Sequence, residues 1–172
     1  MNILDEIKNS RKNSKQLVED LTKSVLSDKV LVKQLVDGLK SGSKTEKGVI
    51  ADVMKHVSGE NPDLLAPYVD ELVGSVNSDI PRVMWGVPES IGNLAKKFPD
   101  KAVKAVPNLL LNTKSDSTVV KWCAAYALSE IFKYNLIVRK TLLPEIEELV
   151  KKEKNNGVKN VYVKVLKEIS RK

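Results

Sequence analysis

A fixed internal period constrains this chain more than any other property: apolar residues and prolines recur every 37 positions. Pro62-Asp63 returns as Pro99-Asp100, Val32 as Val69 and Val106, and Leu35 as Leu72 and Leu109. The second half of the unit repeats too, with Gly48, Trp85 and Trp122 in register, then Met54, Ile91 and Leu128, then Val57, Leu94 and Ile131. One further period predicts apolar residues at 143, 146, 161 and 165, where the chain carries Leu143, Ile146, Val161 and Val165. A period of this size belongs to stacked units, none of which can bury its apolar face alone.

Within a unit the apolar positions are three and four apart, as at Val69, Leu72, Val73 and Val76, which is one face of an α-helix and not the alternation of a strand. Each unit reads as two helices. Pro62 and Pro99 stand where a helix begins, since the first-turn N–H has no intrahelical partner to lose, and Asp63 and Asp100 suit the positive helix end. Turn and cap residues separate the paired helices: Ser41-Gly42-Ser43, Asn77-Ser78-Asp79, Thr113-Lys114-Ser115-Asp116 and Asn155-Asn156-Gly157. The expectation is a single all-α domain over 1–172. Residues 1–27 form one or two capping helices, and four repeats fill 28–60, 61–97, 98–134 and 135–172.

The stretch from Asp116 through Val119, Val120, Lys121, Trp122, Ala124, Ala125 and Leu128 to Ile131 resembles the second helix of a HEAT or armadillo-type repeat. The segments 65–72 and 143–149, with Pro67 and Pro144, are similar to the first helix, where a proline commonly bends the chain. The resemblance covers roughly residues 28–172 and implies an α-α superhelix, a right-handed solenoid with one curved face. Unit I departs from the pattern at Gly48 and Asp52, Pro67 lies three residues off the register of Pro107 and Pro144, and unit IV lacks the alanine pair.

Composition narrows the role. The 172 residues include 29 Lys+Arg, 22 Asp+Glu, one His and one Cys, for a net charge of +7. Cys123 has no internal partner, and the lone His56 and lone Cys123 make no metal site. The acidic start Asp5-Glu6 and the thiol count lead to a cytoplasmic expectation, with no apolar run of membrane-spanning length and no cofactor fingerprint. Charge is uneven: residues 61–100 carry 3 basic and 6 acidic groups, and residues 101–172 carry 15 basic and 7 acidic groups. Segment 38–45, Gly38 to Thr45, tempts a phosphate-loop reading, but Ser43 separates Gly42 from Lys44 and a helix precedes it, so a turn is expected.

No catalytic constellation emerges: Cys123 has no histidine in register to activate it and reads as a small filler. The larger polar and aromatic residues beside the buried lattice are Arg82, Trp85, Glu89, Lys121, Trp122, Tyr126 and Glu130. They predict a concave face on the second helices that binds a protein or peptide without enzymatic turnover, anchored by aromatic rings and rimmed by charge. The alternative is nucleic-acid binding through Lys151, Lys152, Lys154, Lys159, Lys164 and Lys167, against which stands the scarcity of arginine, four of 29 cations. The tryptophans with Glu89 are superficially similar to the cleft of HEAT-like alkylpurine DNA glycosylases, and a lyase or repair enzyme is a distant third reading. Pro88, flanked by Gly86 and Gly92, either bends its helix to follow the stack or opens a notch beside Trp85.

Overall fold

The structure, a computed structural model, describes residues 1–171, and every regular element among them is helical. Two helices, α1 (Ile3–Asn9) and α2 (Ser14–Ser27), precede the first hairpin of α3 (Val30–Ser41) and α4 (Lys44–Glu60). The second unit opens with 3-10 turns at Pro62–Leu64 and Ala66–Tyr68, followed by α5 (Val69–Ser75) and α6 (Pro81–Leu94). The third has α7 (Pro99–Ala102), a 3-10 turn Val103–Ala105, α8 (Val106–Asn112) and α9 (Thr118–Tyr134), and the fourth has α10 (Leu136–Lys152) and α11 (Asn156–Ser170).

The two-helix expectation therefore holds for the first and last units only. In the middle two the first arm is broken into three short pieces. Pro62, Pro67, Pro99 and Pro107 each lack an N–H, so each sits in the first turn of its own short element, and the residues before Pro62 and Pro99, Asn61 and Phe98, are out of helical conformation. The α10 helix instead runs unbroken through Pro144.

Helices α2, α4, α6, α9 and α11 lie side by side as one layer, and α3, α5, α8 and α10 pack against it. The lattice explains the packing: Leu35, Leu72, Leu109 and Ile146, one per unit, are all fully buried. Met54, Ile91 and Leu128 do the same for the second helices. In the last unit Val161 is only half-buried, while Tyr162 and Val165 keep their registers in the core. Close approach needs glycine at two points. A Cβ on Gly86 would stand 2.4 Å from the Ala51 carbonyl oxygen, and one on Gly92 would stand 3.2 Å from the Ala127 Cα.

Side-chain caps start α4, α9 and α11, while α6 opens on Pro81 without one. Ser43 and Glu46 form a reciprocal capping box on α4, Ser117 caps α9, and Asn155 caps α11. The Gly42-Ser43 segment that resembles a phosphate loop is this cap. Pro88 shares its register with Ala51, Ala125 and Tyr162, all buried, and is itself buried within an unbroken α6. Its ring is packed towards the core. No helix among the described residues is long and apolar enough to cross a membrane.

Candidate functional site

The second-helix layer turns one side away from the core, and the side chains that line it come at the registers of positions 48, 52 and 56. In α4 these are Gly48, Asp52 and His56; in α6, Trp85, Glu89 and Asn93; in α9, Trp122, Tyr126 and Glu130. The glycine at the first register has a physical reason. The Arg82 side chain lies across Gly48, with its Cβ and Cδ 3.2 Å from where a Cβ would be. Its guanidinium then pairs with Asp52, Nε donating at 3.1 Å, and donates to the Ser14 hydroxyl at 3.2 Å. Arg82 thus ties α6 to α4 and to the start of α2.

Trp122 is 39% exposed and stacks on Tyr126, ring centroids 6.0 Å apart and planes 4° from parallel. The Tyr126 hydroxyl donates to Asn93 Oδ1 at 2.6 Å, and burial, helped by the charges of Glu130 and Glu89, pushes the phenol up to about 12. Asn93 in turn donates to the Lys55 carbonyl at 3.1 Å and the Ser58 hydroxyl at 3.0 Å. Asn93 is the hub that sequence reasoning passed over, its only signal being a short amide between His56 and Glu130 in register. Trp85 is half-buried, and its indole N–H has no protein acceptor among the described residues.

Glu89 accepts from the Cys123 thiol at 3.4 Å, and burial together with that carboxylate pushes the thiol up to about 12. Cys123 is held as a neutral filler, the opposite of an activated nucleophile. The Glu130 carboxyl is also lifted above its ordinary range, first by burial, and among the described residues neither Glu89 nor Glu130 has an ion-pair partner. Lys133 pairs with Glu168 at 2.8 Å, while Lys164 and Lys96 act on Glu130 without an ion pair among the described residues.

Six of the seven residues expected on this face lie on it; Lys121 does not. It precedes Trp122 by one residue, about 100° around the helix, and reaches the opposite edge, pairing with Glu153 at 3.1 Å. There it helps line a hollow of about 510 Å³ with Leu110, Leu111 and Glu145. Burial opposes charge on Glu153, but the Asn155 amide and Lys121 outweigh it and hold the carboxyl below the usual range. The lysines of the nucleic-acid alternative are likewise dispersed. Lys152 and Lys154 line that same hollow, with Lys152 paired to Glu148 at 3.0 Å, and Lys151 is exposed nearby on α10. Lys159, Lys164 and Lys167 follow on α11, where Lys164 acts on Glu130 and Lys167 lines another hollow beside Phe132 and Arg139. No group of three or more His, Cys, Asp or Glu among the described residues could hold a metal ion.

No protein-family model and no curated relative matches the sequence. Solved structures do match the fold. A designed armadillo repeat protein in complex with the peptide (KR)4 superposes with a TM-score of 0.74 at 17% identity, over 96% of this chain and 79% of that chain. An engineered protein gives 0.76 at 20% identity, over 96% and 78%. Computationally designed armadillo repeat proteins for modular peptide recognition give 0.67 at 16% identity, over 96% and 81%. At these identities the likeness is one of fold, that of an armadillo-type helical-repeat solenoid.

Proposed function

We propose that this armadillo-type solenoid is a non-enzymatic binding module, which holds an extended segment of another polypeptide along the exposed side of α4, α6, α9 and α11. The observation that carries the reading is the pairing of an exposed aromatic stack, Trp122 on Tyr126, with two carboxylates, Glu89 and Glu130, that have no ion-pair partner among the described residues. Flat rings beside carboxylates that make no direct ion pair suit a planar cationic side chain, which stacks on the indole while its N–H groups meet the carboxylates, in competition with Lys133, Lys164 and Lys96 around Glu130. The neighbours lend support, since one is in complex with the peptide (KR)4 and others are described as built for modular peptide recognition. The lone, deeply protonated Cys123 fits a reducing compartment such as the cytoplasm.

The test is fluorescence anisotropy with labelled (KR)4 peptide as the probe. Saturable binding that weakens at least tenfold in Trp122→Ala and in Glu130→Gln, each folded by circular dichroism, is the expected result. Failure of (KR)4 to bind, or affinity unchanged in both variants, overturns the reading. A labelled single-stranded oligonucleotide in the same assay addresses the dispersed lysines; tight, steeply salt-dependent binding there in place of (KR)4 binding would move the function to nucleic acid.

A further inference from the structure

We infer that the seam between α2 and α4 is a receiving pocket for an aromatic, tyrosine-like side chain of the polypeptide that lies along the second-helix layer. This rests on the peptide reading above and adds the chemistry of a second anchor. The reason lies in how the two neighbouring seams of the same layer are closed. Between α9 and α6, Tyr126 reaches back one helix, its ring edge so close to Gly92 that a Cβ there would stand 2.6 Å from Cε1. Its hydroxyl ends on Asn93. Between α6 and α4, Asn93 reaches back to the Lys55 carbonyl and Ser58.

One unit earlier the same two registers hold Asp52 and His56, and neither closes its seam. Arg82 pairs with Asp52, which lines the space between α2 and α4 with Glu19 and Glu60 without bonding to α2, and His56 is exposed. Among the described residues no side chain of α2 forms a hydrogen bond or ion pair with α4, and a hollow of about 600 Å³ remains between the two helices. Val18, Thr22 and Leu26 are its apolar lining, and the Thr22 hydroxyl already donates to the Val18 carbonyl at 2.7 Å. Lys15, Lys23 and Lys55 stand around it with no ion-pair partner among the described residues.

The occupant follows from the chain's own example. A phenol fills the equivalent space two helices along, resting on backbone at one side and meeting a polar group at its tip. The open seam offers the same apolar lining, with Lys55, His56 and Glu60 to meet a hydroxyl and lysines to lie against a ring face. Helix spacing of about 10 Å puts this seam about 20 Å from the one that Tyr126 closes, or roughly six residues of extended peptide. The bound segment therefore carries its aromatic residue about six positions from the cation that meets Glu89 and Glu130.

The seam is tested on the full chain, ¹⁵N-labelled, with N-acetyltyrosinamide and N-acetylleucinamide as probes. The tyrosine probe, at a dissociation constant on the order of 1 mM, is expected to shift the amides of Val18, Thr22, Leu26 and Lys55; the leucine probe should bind at least fivefold more weakly. His56→Tyr, at an exposed position, supplies the ring internally. It is expected to raise the melting temperature by about 2–4 °C and to abolish the probe's shifts. Equal or tighter binding of the leucine probe, no shifts at these amides, or a His56→Tyr protein with unchanged stability and unchanged probe binding each overturn the inference. Shifts at the seam that grow with protein concentration alone would assign it to a second copy and overturn it too. Absence of probe binding with (KR)4 binding intact removes the seam and leaves the peptide reading; the converse removes the peptide reading.

Discussion

Gly86 is where the second-helix layer is held closest, and replacing it gives a prediction with a calculable sign. A methyl group at this position would stand 2.4 Å from the Ala51 carbonyl oxygen and 2.6 Å from its carbon. Both are backbone atoms in the middle of α4, so no side-chain rotation relieves the contact, and α4 and α6 must part. Overpacking of this kind costs about 1–3 kcal/mol, and rigid backbone places Gly86→Ala at the upper end. Against it stands a helix-propensity gain of about 0.5–1 kcal/mol for alanine over glycine. The net expectation is a loss of about 2 kcal/mol, or a melting temperature lower by roughly 4–8 °C. Gly74→Ala is the internal control: this glycine lies in α5, exposed, with nothing within 4 Å of the added carbon. It keeps only the propensity gain and is expected to raise stability by about 0.5–1 kcal/mol. Urea unfolding of both variants beside the parent reads the two signs in one experiment. Should Gly86→Ala match Gly74→Ala in stabilising the chain, the close approach of α4 and α6 is wrong, and with it the geometry of the whole exposed side.

Cys123 gives a pH signature. Its thiol is pushed up to about 12 in the fold, against about 8.5 when unfolded, so stability is fully present below about pH 8.5 and falls as pH rises towards 12. Urea midpoints of the parent and Cys123→Ala should diverge above pH 8.5, by at most about 1.4 kcal/mol per pH unit, and parallel curves would contradict the assignment. Lys121→Met leaves the largely buried Glu153 carboxylate without its cation and is expected to cost about 1–3 kcal/mol at pH 7. That carboxyl is held low in the fold, so the pair's contribution is present above the unfolded value near 4.3 and disappears as pH falls; a cost that persists undiminished at pH 2 would show that packing, not charge, is being lost. Pro88→Ala should leave (KR)4 affinity within twofold, because Pro88 faces the core; a tenfold loss would restore the notch beside Trp85.

Much of the fold was legible because burial repeats when units repeat. Leu35, Leu72, Leu109 and Ile146 could be placed in one core without knowing any contact between them. The broken first arms were less legible, since Pro67 and Pro107 sit at different registers yet do the same thing, each starting a new short element. On the candidate face, the registers of Trp85, Trp122 and Tyr126 followed from the 37-residue lattice. Lys121 was misplaced because one residue of helix is about 100° of rotation, and charge alone does not say which way a lysine turns. Its direction is set by Glu153, 32 residues later, in a turn whose conformation the period does not encode.

The residues that set this face apart are those where the repeat is broken, and each break is explained by a contact between units. Gly48 departs from the tryptophan register because Arg82 of the next unit crosses it. Asp52 departs from the aromatic at position 126 because that same Arg82 needs a carboxylate. With Asp52 paired to Arg82, no α4 side chain hydrogen-bonds across to α2 among the described residues, and the hollow between them is lined on the α4 side by Asp52, Lys55, His56 and Glu60. Arg82 is therefore expected to act at a distance: it anchors α6 directly, and by withholding Asp52 it keeps the α2–α4 seam open. An Arg82→Met protein, with Asp52 released, should lose both the tie to Ser14 and the orientation of Asp52. The tyrosine probe's shifts at Val18 and Thr22 should then change through Ser14 and Asp52, the two lining residues that Arg82 holds. Unaltered shifts in this variant would mean that the seam is open for a reason other than the Arg82–Asp52 pair.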